Sequence, residues 1–391
     1  MTLQRVEALQ RLQVANGVAC VALVPGANLR YFTGLPMQLS ERPTVAFFPA
    51  DGPPAAVLPV LEAAAAQAYL AELSFYPDDR RDRRSVRTEG REGEGGVRLF
   101  PYGDEEGHGH AFVQAAEELH LAGKAIGLEF LAMRVLEMRR IEQAAPGCRF
   151  LATEPWLPAL RMAKEEGEMA SIRQAVGIAE RALRQLLKAN AIRPGRTERR
   201  LAADLQIALL REGSEGLPFA PIVVAGPNSA LPHAEPSDRQ LVEGDPVILD
   251  WGAQHDGYRS DITRTFVLGQ PTPQIEEVYD AVLAANQAGR MAVRPGMPAQ
   301  EVDRAARRAI TLAGYSKFFI HRTGHGLGLE THEPPFMVEG NLELLQPGMT
   351  FTVEPGIYLP GVGGVRIEDD VVVTAEGSET LTRLPRELSC L

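Results

Sequence analysis

Two aspartates bracket a turn-forming His-Asp-Gly in the stretch VILDWGAQHDGYRSDITRTF, residues 247–266. One apolar run delivers Asp250, and a second carries Asp261. A hairpin centred on His255 and Asp256 would set the two aspartates opposite each other, and directly opposed side chains stand about 4.5–5.5 Å apart at Cβ. Like charges at that distance repel unless a cation lies between them. A surface hairpin with two solvated aspartates explains this stretch equally well, so the rest of the chain has to decide.

More acids follow. Glu354 stands in TVEPGIY and Glu368 in VRIEDD, symmetric about Gly361. His325 stands in TGHGLG, where Gly324, Gly326 and Gly328 are expected to let the backbone bend close to a ligand. Carboxylates with one imidazole suit Mn²⁺, Co²⁺, Fe²⁺ or Zn²⁺. Bridging carboxylates allow two ions about 3.5–4 Å apart, and water held by such a pair is a nucleophile near neutral pH. That chemistry is hydrolysis.

An internal repeat would bring these groups together. IRPGRTERRLAADLQIALLREG (192–213) resembles VRPGMPAQEVDRAARRAITLAG (293–314). His233 in PHAEP matches His332 in THEPP, and Asp250 falls on Glu354. Each half reads as an RPG turn, a helix, a histidine segment and an acid-bearing strand. One site on the pseudo-two-fold between the halves is expected.

Ahead of the repeat, residues 1–155 read as a separate α/β domain. Helices are expected over 1–14, 62–73 and 132–143, and strands over 17–24, 45–48, 55–58 and 124–129. AAVLPVLEAAAAQAYL reads as a strand entering a buried helix. TEPWL (153–157) marks the boundary, with residues 156–391 as the second domain and a long helix over 164–191. The charged, glycine-rich segment 78–96 has too little apolar content for a core of its own. It reads as a solvated loop or an arm that orders against a second subunit. The fold class is α+β.

Bulk properties exclude several functions. A net charge of -11 argues against a nucleic-acid-binding surface. No apolar run approaches the ~18 residues of a membrane span. The first residues lack the apolar segment of a signal peptide. Cys20, Cys148 and Cys390 lie far apart with no ligand or redox spacing, which fits a reducing cytoplasm.

On these residues the chain resembles the pita-bread-fold metallopeptidases, specifically the Xaa-Pro peptidases, prolidase and aminopeptidase P. ILDWGA, YRSDITRTF, HRTGHGLG, TVEPGIY and VRIEDD match the family's ligand motifs at Asp250, Asp261, His325, Glu354 and Glu368. NLRYFTG and ERPTVAFF resemble the creatinase-type N-terminal domain. The resemblance implies a dinuclear site, with Mn²⁺ expected first and Co²⁺, Zn²⁺ or Fe²⁺ as alternatives. It implies that Glu354 shuttles the proton, that His233 and His332 bond the carbonyl oxygen or the leaving group, and that His321 lines the proline side. It also implies a homodimer.

Arg366 precedes Glu368 by two residues, so on a strand both share a face and the guanidinium can reach the site. Tyr258 and Arg264 flank Asp261 as orienting residues. A dipeptidase needs a cation for the free carboxylate of the C-terminal proline. Some family dipeptidases place an arginine shortly after the position of His332; here that position is Phe336. Arg366 and Arg42 are the expected substitutes. The modest length and single small N-terminal domain favour a dipeptidase over an aminopeptidase acting on longer peptides. Methionine aminopeptidases lack such a leader, creatine-type hydrolases lack the metals, and a metal-free binding protein on this fold would have lost ligands.

Overall fold

The computed structural model describes residues 3–71 and 96–391. The charged segment therefore lies outside the described residues except for Gly96. The chain divides into two compact units, Met1–Leu160 and Arg161–Leu391.

The first unit contains α1 (Leu3–Ala15), β1 (Cys20–Leu23), α2 (Ala27–Thr33), β2 (Val45–Pro49), β3 (Ala55–Pro59), α3 (Val60–Ala71), β4 (Arg98–Tyr102), α4 (Gly109–Glu118), β5 (Ala125–Leu128), α5 (Val135–Ala144) and β6 (Arg149–Ala152). Its six strands run in the order β4-β3-β2-β1-β5-β6. The central strands are apolar at every position because both faces are covered. Phe47, Phe112, Ile126, Leu128 and Ile141 fill one core. The elements expected from the sequence do not include α2, β4, α4 and β6. The helix expected to be buried is mostly exposed: on α3, Val60, Leu61 and Tyr69 are 52%, 69% and 46% exposed. Its alanines cannot mark a buried face, because alanine favours helix on either face.

One helical turn, α6 (Ala159–Met162), spans the division. The second unit then repeats itself. The first half has α7 (Glu166–Lys188), α8 (Glu198–Arg211), β7 (Ile222–Ala225), β8 (Pro246–Trp251), β9 (Gln254–His255), β10 (Tyr258–Arg259) and β11 (Ile262–Val267). The second has α9 (Pro273–Ala292), α10 (Gln300–Leu312), β12 (Gly324–Gly326), β13 (Glu333–Met337), β14 (Thr350–Val353), β15 (Gly356–Leu359), β16 (Gly363–Arg366), β17 (Asp369–Val373), β18 (Ser378–Thr380) and β19 (Ser389–Cys390).

The two RPG turns are the same turn. Gly195 and Gly296 adopt φ of 79° and 80°, a region that favours glycine. Gly195 N donates to Leu241 O at 2.8 Å, and Gly296 N donates to Leu345 O at 2.7 Å. The sheets are ordered β19-β11-β8-β7 and β13-β12-β14-β17-β18. A bridge between Thr263 and Glu368 joins the acid-bearing hairpin of one half to that of the other. No helix among the described residues is long and apolar enough to cross a membrane.

Candidate metal centre

The hairpin register differs from the expected one. Asp250 pairs with Thr263, and His255 pairs with Tyr258. The turn is therefore Asp256-Gly257, with φ of 50° and 80°. Two positive φ values are the signature of a type I′ turn, which suits the right-handed twist of the strands. Asp261 stands one step along the same face from Thr263, diagonal to Asp250 rather than opposite it. In the second half the register does centre on Gly361: Gly356 pairs with Arg366 and Val353 with Asp369.

The acids converge. Ligand atoms of Asp250, Asp261 and Glu368 lie within 4.8 Å of one another. The same limit holds for His325, Glu354 and Glu368, and for Asp261, His325 and His332. His325 Nε2 lies 3.2 Å from Glu354 Oε1 and 3.7 Å from Asp261 Oδ2. His325 Nδ1 meets the Gly326 carbonyl at 3.2 Å. A carbonyl only accepts, so Nδ1 carries the proton, and a neutral ring turns the lone pair of Nε2 into the cluster as a metal ligand requires.

Side chains two residues from one acid hold that acid or another across the cluster, because alternate strand residues share a face. Thr263 Oγ1 donates to Glu368 Oε2 at 2.6 Å, and Thr352 Oγ1 donates to Glu354 Oε1 at 3.1 Å. Asp370 Oδ2 accepts from Asp261 N at 3.2 Å. Sequence reasoning missed these three, although their spacing from the acids was a readable signal. Arg264 donates to the Glu368 carbonyl at 2.6 Å and to Asp369 at 2.8 Å, an orienting role near the one expected. Tyr258 donates instead to Glu168 at 2.5 Å.

Two glycines of TGHGLG are required by close backbone packing. A Cβ on Gly324 would stand 1.8 Å from Thr352 O, and one on Gly326 would stand 2.3 Å from Pro334 O. They let β12 approach its neighbouring strands, which fixes His325 in place.

Arg366 reaches the cluster but is committed to protein groups. It is 3% exposed. It donates to Asp250 Oδ2 at 2.5 Å, Tyr358 Oη at 3.0 Å and Thr263 Oγ1 at 3.1 Å. It thus acts as a counter-ion to Asp250, where the sequence suggested a contact to substrate. His321 Nδ1 donates to the Arg322 carbonyl at 2.8 Å, and Nε2 accepts from Tyr358 at 2.9 Å. With both nitrogens engaged, the ring can line a pocket but has no free proton to give. Burial pulls its pKa down. His332 stacks edge-on to His325, ring centroids 4.0 Å apart. Burial, then the neighbouring His325 and Arg322, pull its pKa down to about 4. His233 is exposed, close enough for its charge to act on His332. Arg42, in the N-terminal unit, is held by Asp104 through two bonds of 2.8 Å and by Glu41 at 2.6 Å.

The residues fit divalent cations. Burial first, then Glu368, Asp250, Asp370 and Glu354, push the Asp261 carboxyl well above the usual range. Burial, Glu354 and Asp250 do the same to Glu368. Among the described residues, Asp250 Oδ1 and Asp370 Oδ1 are buried with no hydrogen-bond partner. Desolvated, crowded carboxylates with an orphaned oxygen are what a cation would satisfy.

Comparison with known proteins decides the family. Residues 170–375 match the model of metallopeptidase family M24, and residues 5–163 match the Creatinase/Prolidase N-terminal domain. The chain belongs to metallopeptidase family M24. The chain is similar to a probable dipeptidase PepE of Mycobacterium tuberculosis, 39% identical over 95% of this chain and 92% of that one. A dipeptidase structure from Pyrococcus horikoshii superposes with a TM-score of 0.87 at 35% identity, covering 99% of this chain and 100% of that one. An X-Pro aminopeptidase structure from Thermotoga maritima gives 0.80 at 30% identity, covering 99% of each chain. The M24 chain described here is therefore a metallopeptidase, with a creatinase-type domain ahead of a pita-bread catalytic domain.

Proposed function

We propose that the protein is an Xaa-Pro dipeptidase using two divalent ions, Mn²⁺ foremost, held by Asp250, Asp261, His325, Glu354 and Glu368. The observation that carries this reading is the meeting of acids from both halves of the repeat within 4.8 Å of one another. Relatives support the substrate: a Pyrococcus furiosus protein named Xaa-Pro dipeptidase is 42% identical over 59% of this chain and 65% of its own length.

When bound, such ions supply Lewis-acid polarisation of the scissile carbonyl and a lowered pKa for the attacking water. Glu354 takes the water's proton and passes it to the leaving proline nitrogen. His332, held neutral by its surroundings, and His233 donate to the carbonyl oxygen as it gains charge. His321 lines the proline side. The tertiary amide before proline lacks the N–H that ordinary peptidases bind, so a pocket shaped to the ring selects that bond.

The test is hydrolysis of Ala-Pro by purified protein with added Mn²⁺. Chelation is expected to abolish the rate and Mn²⁺ to restore it. Failure to cleave Ala-Pro with metal present, or an unchanged rate after chelation, sinks the reading. Comparison with Ala-Pro-Ala separates a dipeptidase from an aminopeptidase.

The sequence also offers Arg42 as a candidate cation for the substrate carboxylate. Arg42→Ala is then expected to weaken Ala-Pro cleavage by about 10-fold or more and Ala-Pro-Ala cleavage less. Equal losses on the two substrates would remove Arg42 from the site. Three unpaired cysteines support a cytoplasmic location. The exposed apolar side chains of α3 support a homodimer.

A further inference from the structure

We propose that Arg322 binds the free C-terminal carboxylate of the dipeptide, and so sets the preference for dipeptides over longer chains. This rests on the Xaa-Pro dipeptidase reading.

Arg322 stands between His321 and the strand that carries His325. Four buried or half-buried arginines of the catalytic unit have acid partners: Arg366 has Asp250, Arg264 has Asp369, Arg307 has Asp303 and Arg161 has Glu333. Arg322 differs. Among the described residues its guanidinium meets no carboxylate within 4.0 Å and makes no hydrogen bond; it lies over the face of the Phe336 ring, 4.4 Å from the centroid. It is nonetheless half-buried, and burial pulls its pKa down while Glu354 opposes that. Its charge also acts on His332. Phe336, under the guanidinium, pairs with His325 across β12 and β13, so the two side chains share a face and the cation stands on the His325 side of the sheet.

A partly desolvated cation without a counter-ion is unfavourable unless a ligand supplies the anion. The Phe336 ring holds the guanidinium carbon over its face, and among the described residues the N–H donors have no partner. The guanidinium edge is a planar fork matched to a carboxylate, and the ring holds it in one orientation. A dipeptide ends in that carboxylate on the proline itself. One more residue displaces the charge by about 3.3–3.6 Å and leaves a neutral amide in its place.

The experiment compares Ala-Pro with its C-terminal amide, using the metal-loaded wild type and the Arg322→Gln and Arg322→Lys variants. The wild type is expected to prefer the acid. In Arg322→Gln the KM for Ala-Pro should rise about 10- to 100-fold, as expected for a lost charged hydrogen bond, with kcat little changed. The acid-over-amide preference should collapse. Lysine, a point charge, should recover part of it, and added guanidinium ion should partly rescue the glutamine variant.

A wild type that cleaves acid and amide alike overturns the proposal without any variant. So does an Arg322→Gln protein, with normal metal content and melting, that loses both substrates equally. A wild type that cleaves no Xaa-Pro substrate sinks the functional reading, and this inference with it. Loss of the acid preference alone leaves that reading standing.

Discussion

Asparagine at position 261 is expected to remove hydrolysis of Ala-Pro while leaving the fold intact, with kcat/KM falling by about three orders of magnitude or more. Asp261 belongs to two of the convergent groups, one with Asp250 and Glu368 and one with His325 and His332. An amide matches its volume but carries no anionic oxygen to share between ions. The stability effect has opposite signs with and without metal. In metal-free protein, the Asp261 carboxylate is buried against Glu368, Asp250, Asp370 and Glu354, so removing its charge relieves repulsion and raises the melting temperature. With metal, the parent gains stability from binding, roughly 4 kcal/mol at a thousand-fold excess over Kd, and the variant does not. Thermal melts with and without Mn²⁺, beside metal content, check this. A variant that keeps the full metal-induced rise in Tm would remove Asp261 from the ligand set.

The acids were legible because metal chemistry restricts residue types, and because the repeat showed that distant stretches fold alike. The matching RPG turns at Gly195 and Gly296 gave that repeat a backbone basis. Register was less legible. A hairpin centred on His255 and Asp256 neglects the preference of Asp-Gly for positive φ at both turn positions, and that places Asp261 against the wrong partner. The error did little harm, because a shift of two residues keeps a side chain on the same face. The residues that hold the acids obey the same rule: Thr263, Thr352, Arg366 and Asp370 each stand two positions from an acid on the same strand run. What the sequence could not supply is how each cation is committed. Arg366, Arg264 and Arg322 read alike as letters, yet two are locked onto Asp250 and Asp369 while the third stacks on Phe336.

That difference between arginines makes Arg366→Met the second large prediction. Arg366 and Asp250 form a buried pair, their side chains 4% and 12% exposed. Removing one partner strands the other, at a cost of about 3–5 kcal/mol for a buried pair. Thr263 and Tyr358 lose a donor in the same step, and Tyr358 is the group that donates to His321. The loss should be largest in metal-free protein, because a bound cation takes over part of the compensation of Asp250. Denaturant midpoints are therefore expected to fall further without Mn²⁺ than with it. Metal affinity should drop by about 10- to 100-fold, as for other groups that orient a ligand. Arg366→Lys should not restore it, since one ammonium cannot serve Asp250, Thr263 and Tyr358 in the geometry of a planar fork. The contrast with Arg322→Gln is the sharper check. Arg366 variants should change stability and metal affinity with acid and amide substrates affected alike, whereas Arg322 variants should change KM for the acid. A metal-free Arg366→Met protein as stable as its parent would show that Asp250 does not depend on this counter-ion.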